Sequence, residues 1–443
     1  MDRNFFHRSK ENSIEFFEDG PLYQQRFLEL IKNSAKIIHL QTYIFELDIF
    51  GIKVFNELIR ASQRGVQIYL LVDMVGSTKL TVNDEDELRS AGIHFSRFNG
   101  IQIKWLYSWG RRLHHKVLLV DDEVSFIGGM NINCIIDPNT GIPQLDFAVL
   151  LRGPVIQRLA KYLQITYQNT AGIKKIPFPQ LAPSKNYPEG IDVKILVNDW
   201  VYRRWQITRH YVHITKKAKH EITIINSYFF PRRSFMIQLV DAAKRGVRVR
   251  LILPKLSDWP SYILASEYLY TYFLKNGVEI YQWKKSILHG KLATIDNHWA
   301  TIGSFNLNYT SYQQNLEMNV NVYSEQFTGE LKEYIENLIH TGCERIDAKN
   351  FMEHCPPLKR IKRFFYYVIV ALVANFSIGM IYQEDDNKGN RVYNLIRIIG
   401  AIFFLILGLL GLVLPVIPGV PFLVVSFLLV YKQILLNKKK ESL

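Results

Sequence analysis

The sequence predicts an α/β protein of two pseudo-symmetric lobes, each a mixed β-sheet flanked by helices, followed by a C-terminal α-helical membrane hairpin. Three observations predict it: the same order of elements occurs twice, one spaced polar pattern occurs once in each copy, and charge disappears from two long runs near the C-terminus. In the first copy AKIIHLQTYIF (residues 35–45) is a β-branched apolar run, followed by an amphipathic helix and by ASQRGVQIYLLVD (residues 61–73). The second copy reads KHEITIINSYFF (residues 219–230) and then AAKRGVRVRLILP (residues 242–254). Strand, helix, strand at this spacing makes a parallel or mixed sheet covered by helices. Arg64-Gly65-Val66 and Arg245-Gly246-Val247 read as helix ends closed by glycine and followed directly by a strand.

Residues 1–172 form the first expected lobe. Its start, MDRNFFHRSKEN, is charged and has no apolar core, so no cleavable signal or N-terminal anchor is expected. Residues 173–190, IKKIPFPQLAPSKNYPEG, contain four prolines and read as the linker between lobes. The second lobe is expected over residues 191–345, and residues 346–363 form a connector with the basic hinge HCPPLKRIKR. Residues 364–443 form a hydrophobic membrane segment, uncharged from Phe364 to Gln383 and again over the 34 residues from Ile398 to Tyr431. As a single helix the second run would be roughly 51 Å long, too long for one crossing of a core about 30 Å thick. Pro415, Pro418, Gly419 and Pro421 break it, so a hairpin of Ile398–Leu414 and Phe422–Tyr431 is expected, with Phe364–Gln383 lying in the interface. Basic residues at both ends, Lys359–Arg363 and Lys438–Lys440, favour an even number of crossings with both ends on the cytoplasmic side.

Lys and Arg number 54 against 40 Asp and Glu, a net charge of +14, so an anionic partner is expected, either nucleic acid or an acidic membrane. With 48% apolar and 21% charged residues the chain is neither disordered nor short of core material. Cys134, Cys343 and Cys355 show no paired spacing, which argues against zinc and against a disulfide framework.

The polar pattern carries the chemistry. The first copy is HHKVLLVDDEVSFIGGMN, with His114, Lys116, Asp121 and Asn131, and the second is HGKLATIDNHWATIGSFN, with His289, Lys291, Asp296 and Asn306 at identical intervals. Residues two apart on a strand share a face, so each histidine and lysine point toward one site. Two facing lobes then bring two histidines, two lysines and two asparagines into one pocket, the donor set of a phosphodiester site. Lysine ammonium and asparagine amide groups stabilise charge on phosphorus-bound oxygen, while one histidine attacks phosphorus and the other protonates the leaving alkoxide. Each histidine needs an acceptor for its second ring nitrogen, and Asp146 in PQLDFAVLL and Glu317 in QNLEMNVNV are the candidates, each for the histidine of its own half. For Asp121 and Asp296 a structural role beside the turn and a direct catalytic role both stand.

These motifs resemble the phospholipase D superfamily. The phrases LQTYIFELD, RGVQIYLLVD, FIGGMN, NSYFFP, LHGKLATIDNHWATIGSFNLN and NLEMNV narrow the resemblance to the bacterial cardiolipin synthases, over roughly Asn12 to Arg345. The resemblance implies His114 and His289 as nucleophile and acid, with His114 the nucleophile, and Lys116, Lys291, Asn131 and Asn306 as phosphate ligands. It implies no metal and no cofactor. Family members join two phosphatidylglycerol molecules into cardiolipin through a phosphatidyl-histidine intermediate and release glycerol, so an anionic phospholipid, a membrane surface and a bacterial inner-membrane location are expected. The chain lacks the two N-terminal transmembrane helices of the long form and looks like the short form. Its LGLLGLVLPVIPGVPFLVV run resembles a separate group of small bacterial inner-membrane proteins and reads as a fused anchor.

Hydrolysis, as in a phospholipase D, differs only in the second step, and phosphatidylserine synthesis only in the acceptor. A nuclease would use the positive charge but has no need of a hydrophobic hairpin, and a non-catalytic scaffold is disfavoured because both motifs are intact. Arg111 and Arg112 with Trp109, and Lys284 and Lys285 with Trp283, precede the two motifs and are expected to seat the mouth on an acidic bilayer.

Overall fold

The computed structural model describes residues 7–98, 111–133, 141, 143–172, 185–188, 190–202, 204–353, 355–381, 400–405, 423 and 426. The first lobe contains strands β1 (Ser9–Glu18), β2 (Ile37–Thr42), β3 (Gln67–Asp73), β4 (His94–Phe98), β5 (Arg112–Leu113), β6 (Lys116–Val120), β7 (Val124–Gly128), β8 (Gln144–Leu145) and β9 (Phe147–Arg152). Its helices are α1 (Pro21–Lys32), α2 (Ile49–Gln63), α3 (Val82–Ser90) and α4 (Val155–Ala171). The second lobe contains β10 (Ile191–Asp199), β11 (Arg204–Trp205), β12 (Glu221–Asn226), β13 (Arg248–Pro254), β14 (Glu279–Trp283), β15 (Ile287–Leu288), β16 (Lys291–Ile295), β17 (Trp299–Gly303), β18 (Asn315–Tyr323) and β19 (Cys343–Arg345). Its helices are α5 (Gln206–Lys217), α6 (Arg233–Lys244), α7 (Pro260–Lys275), α8 (Tyr309–Gln313) and α9 (Glu325–Gly342), followed by α10 (Ala348–Glu353) and α11 (Pro357–Ile381).

Strand pairing makes the duplication explicit. In the first lobe the order is β1-β9-β7-β6-β2-β3-β4, parallel at β2–β3 and β3–β4 and antiparallel elsewhere. In the second it is β10-β18-β17-β16-β12-β13-β14, with the same two parallel steps at the same places. The strand–helix–strand units close as the sequence predicts. Gly65 and Gly246 take φ of 91° and 88°, and the following Val66 and Val247 amides bond back to the Ala61 and Ala242 carbonyls at 3.1 Å. A side chain resists this left-handed backbone, so glycine is required there.

The lobes are not beads on a linker. β1 pairs antiparallel with β10, and the inner faces of both sheets bury Val149, Leu151, Val193, Met318 and Val320 in one core with Leu159 and Leu163 of α4 and Leu331 and Ile335 of α9. The outer faces have separate cores, one under α1 and α2 and one under α5, α6 and α7. Residues Met1–Ser377 accordingly cluster as one compact unit. Of the expected connector and interfacial residues, Ala348–Glu353 and Pro357–Ile381 are helical, and Phe351, Tyr366, Tyr367 and Val370 pack on the outer core of the second lobe. Most of the Pro-rich linker lies outside the described residues.

In the second unit, Ile378–Leu443, residues 400–405 are helical, and the Ser426 hydroxyl donates to the Ala401 carbonyl at 2.8 Å, a contact between the two arms expected of the hairpin. The rest of that hairpin lies outside the described residues. Among the described residues, no helix is long and apolar enough to cross a membrane.

Candidate active site

His114 and His289 each stand at the point where their lobe is pinned to the other. β5 runs parallel to the start of β18, and the His114 and His115 amides donate to the Leu316 carbonyl at 2.9 and 3.0 Å. By the same symmetry β15 runs parallel to β8, and the His289 and Gly290 amides donate to the Leu145 carbonyl at 2.8 and 2.9 Å. The next residues in the opposite lobe are the carboxylates, so the pairing is crossed. His114 Nδ1 lies 2.9 Å from Glu317 Oε2, and His289 Nδ1 lies 2.6 Å from Asp146 Oδ2. Pairing within each half, the simplest reading of sequence proximity, is therefore corrected: each lobe supplies the acceptor for the other's histidine.

Both carboxylates are buried. Glu317 also accepts from Asn315 Nδ2 at 3.0 Å and from the Ser304 hydroxyl, and Asp146 from the Phe147 amide at 2.8 Å. Burial opposes the charge of each, but Lys291 and His289 outweigh it at Asp146, and His114 and Lys116 do so at Glu317, holding both below the ordinary carboxylate range. An ionised carboxylate only accepts, so the proton sits on Nδ1 of each histidine and Nε2 carries the lone pair. Burial pushes the His114 ring down to about 4, with Lys116 and Lys291 working in the same direction, and lowers His289 as well.

Lys116 Nζ donates to the His114 carbonyl at 2.7 Å, and Lys291 Nζ donates to the His289 carbonyl. Burial, then the neighbouring Lys291, pulls Lys116 down to about 7, and burial lowers Lys291 too. Two buried like charges close enough to disfavour one another would be relieved by an anion between them. Asn131 Oδ1 accepts from the Ile44 amide at 3.3 Å, and Asn306 Oδ1 accepts from the Ser227 hydroxyl at 2.8 Å. Each leaves its amide –NH2 as the end able to donate to a phosphoryl oxygen.

Asp121 and Asp296 do not join this group. Asp121 accepts from the amides of Ala35, Lys36 and Ile37 at 2.7 to 3.0 Å, and Asp296 from those of Lys219, His220 and Glu221 at 2.8 to 3.3 Å. Each sits at positive φ in its hairpin turn and holds the entry to the central strand. Of their two sequence roles, the structural one is what these bonds serve.

The basic pairs expected beside the motifs are corrected in part. Arg111 makes a two-pronged bond to Asp199 at 3.1 and 2.6 Å, Arg112 lies 3.9 Å from Asp73, and Trp283 is buried with its indole N–H on Ser286 at 2.7 Å. Lys284 and Lys285 are exposed, and Trp109 lies outside the described residues. Two aromatic neighbours escaped the sequence reading: the Tyr43 ring is 5.1 Å from His114 and the Tyr228 ring 6.1 Å from His289. Aligning QTYIF with NSYFF would have found them, since the two tyrosines hold the same place in the duplicated unit. Among the described residues no group of three or more His, Cys, Asp or Glu could hold a metal.

The fold resembles that of phosphatidylserine synthase of Haemophilus influenzae, at a TM-score of 0.63 and 14% identity, over 84% of this chain and 97% of that one. Cardiolipin synthase B of Salmonella typhimurium is 32% identical over 348 residues, 76% of this chain and 82% of that protein. Cardiolipin synthase 1 of Staphylococcus epidermidis is 28% identical over 339 residues, 74% of this chain and 68% of that protein. The family profile "Cardiolipin synthase, PLD-like domain" matches residues 27–135 and 211–339, one block in each lobe and together more than half of the chain. With a profile of that extent centred on both motifs, and relatives at 32% identity along most of their length, the chain belongs to the PLD-like cardiolipin synthase family, a family of phosphatidyltransferases.

Proposed function

We propose that the chain makes cardiolipin from two molecules of phosphatidylglycerol. The donor phosphate lies between Lys116 and Lys291, with the Asn131 and Asn306 amides on its oxygens. His114 Nε2 attacks phosphorus while His289, protonated as the anionic substrate enters, gives its proton to the departing glycerol oxygen. Neutral His289 then takes the proton from a hydroxyl of the second phosphatidylglycerol, whose oxygen attacks phosphorus and frees His114. The first step breaks a P–O bond and makes a P–N bond, the second does the reverse, and over the two steps His289 gives up one proton and regains one.

The observation that carries this reading is the pair of crossed dyads. Two imidazoles, each with Nδ1 committed to a buried carboxylate, present two Nε2 atoms beside two buried ammonium groups. Such a pair alternates acid and base across a two-step displacement. We also assign the uncharged Ile398–Tyr431 run to an anchor in the bacterial inner membrane, with the catalytic unit on the cytoplasmic side, from its length, its central prolines and the flanking basic residues.

Purified chain in phosphatidylglycerol liposomes with chelator present should produce cardiolipin and free glycerol in equal amounts. His114→Ala or His289→Ala should reduce this to background. Phosphatidic acid as the main product would instead make water the acceptor and the protein a phospholipase.

A further inference from the structure

We infer that α7, α10 and α11 form the face by which the catalytic unit docks on an anionic phospholipid bilayer, with a lipid headgroup seated in the cavity between them. This inference rests on the phosphatidyl-transfer reading and says which surface of the enzyme meets its substrate. Of the basic pairs that the sequence offered for this task, Arg111 is paired with Asp199, Arg112 lies beside Asp73 and Trp283 is buried, which leaves the exposed Lys284 and Lys285 without an exposed apolar neighbour in the chain among the described residues.

α11 carries what they lack. Its inward side is fixed by Arg363, which donates to Glu267 at 2.7 Å and lies 4.2 Å over the Phe351 ring, and by Tyr367, whose ring centroid is 4.4 Å from that of Tyr268. Its outward side is apolar. Leu358, Ile361 and Phe365 follow one another at intervals of three and four, and Val368 and Leu372 continue the series. Ile361 is 63% exposed and Leu358 64%, in the first turns of a helix that also carries Lys359, Arg360 and Lys362. An apolar stripe edged by lysine and arginine is the pattern of a helix lying in the headgroup layer of an acidic membrane, the stripe entering the acyl boundary and the cations meeting phosphates.

Beneath this helix is a cavity of about 560 Å³ lined by Lys275, Arg360 and Arg363, by Glu267, and by Tyr268, Tyr272 and Phe351 among others. Glu267 is already shared by Arg363 and Lys359. Among the described residues neither Lys275 nor Arg360 has a carboxylate in ion-pair range, so the cavity has net positive charge and aromatic walls. That combination fits a glycerophosphate headgroup.

The docking face also reaches the chemistry. Ring contacts run from Tyr367 to Phe230 at 5.5 Å, Phe230 to Tyr262 at 6.2 Å, Tyr262 to Tyr228 at 5.5 Å, and Tyr228 to His289 at 6.1 Å. Trp259, 63% exposed, begins α7 beside the Asp258 carboxylate that accepts from Tyr228. Packing therefore runs without a break from α11 through the buried Phe230 to the tyrosine beside His289, so the docking helix is fixed to the element that carries that histidine.

The test uses the full chain and two readouts. First, Phe365→Trp is mixed with vesicles of phosphatidylglycerol brominated in the chains, and the quenching gained over the parent chain is measured. Gain with phosphatidylglycerol and none with phosphatidylcholine supports the assignment. No gain, equal gain with both lipids, or emission already buried without vesicles, as it would be if the chain's own C-terminal residues covered the stripe, overturns it. Second, Ile361→Glu/Phe365→Glu and, separately, Arg360→Glu should lower turnover of vesicle phosphatidylglycerol at least about tenfold while changing turnover of monomeric short-chain phosphatidylglycerol less than about twofold. Equal losses on both substrates, or no loss on vesicles, also overturn it. If the parent chain converts neither substrate, the transfer reading fails, and the quenching still decides the docking face by itself.

Discussion

Glu317 accepts from three side chains, the His114 ring, the Asn315 amide and the Ser304 hydroxyl, whereas Asp146 accepts from the His289 ring and one backbone amide. The difference lies in the duplicated motif. Where the second copy has Ser304, the first has Gly129, and a Cβ there would stand 2.2 Å from Asp146 Oδ1. The residue after each histidine differs as well. His115 is buried with Nε2 on Gln41 at 2.8 Å, while a Cβ at Gly290 would stand 2.3 Å from the Phe147 ring. Duplication kept the paired histidines and carboxylates in register and let their supports diverge.

That divergence bears on which histidine attacks. Donors spent on Glu317 spread its charge and weaken its pull on the His114 proton, so His114 stays neutral and its Nε2 lone pair stays available. Asp146, with fewer donors and a shorter bond, stabilises a charged His289 better. Burial lowers both rings, His114 to about 4, so the contrast rests on the hydrogen bonds to the two carboxylates. A diester with p-nitrophenol as leaving group needs no proton donated, which separates the two roles. On it, His289→Ala should keep a burst of nitrophenolate and trap the phosphoryl-histidine, while losing about 10²–10⁴-fold on phosphatidylglycerol, the usual worth of an acid–base group. His114→Ala should show neither burst nor intermediate. A burst in His114→Ala and none in His289→Ala would reverse the assignment.

The two lysines offer a second, smaller contrast. Lys116 sits near 7 in the free enzyme because burial and Lys291 both disfavour its charge. In the proposed mechanism phosphate binding requires that charge, so kcat/KM, which reports the free enzyme, should fall by up to about tenfold per unit as pH rises above about 7. In Lys116→Arg the guanidinium remains charged throughout. Its activity should be lower at neutral pH but lack the limb contributed by residue 116, and an unchanged limb would assign it to another group.

Much of this was legible in the sequence because it is repeated there. Equal intervals in two motifs fixed the histidines, lysines and asparagines, and the Arg-Gly-Val turns fixed the parallel units. The crossed pairing was not legible, since it depends on β5 meeting β18 and β15 meeting β8 across the lobes, contacts between residues 112–113 and 315–316 and between 144–145 and 287–288 that no local period encodes. Arg111 and Trp283 misled for a related reason: a charged or aromatic residue reads as surface until its buried partner, here Asp199 or Ser286, is seen.

Asp121 and Asp296 mark the limit of reading a motif as a list of catalytic residues. Each is as regular in spacing as the histidines, yet each binds three backbone amides at the start of the neighbouring strand and sits at φ of 54° or 51°. Those amides hold Asp296 below the usual carboxylate range against burial, so its stabilising effect is present above the ordinary aspartate range and is lost as pH falls through the lowered value. Asp296→Ala removes the acceptor and places a Cβ-bearing residue without local hydrogen bonding at positive φ, a cost of about 1–3 kcal/mol for the backbone alone. Asp296→Asn keeps one acceptor oxygen and tolerates the left-handed region, so it should cost less, about 1 kcal/mol on the scale of a single hydrogen bond. Thermal unfolding should rank parent above Asn above Ala, while kcat of the folded enzyme stays within about twofold in both variants. A large loss of kcat in Asp296→Asn with an unchanged melting temperature would return this residue to the chemistry and make the two aspartates part of the site after all.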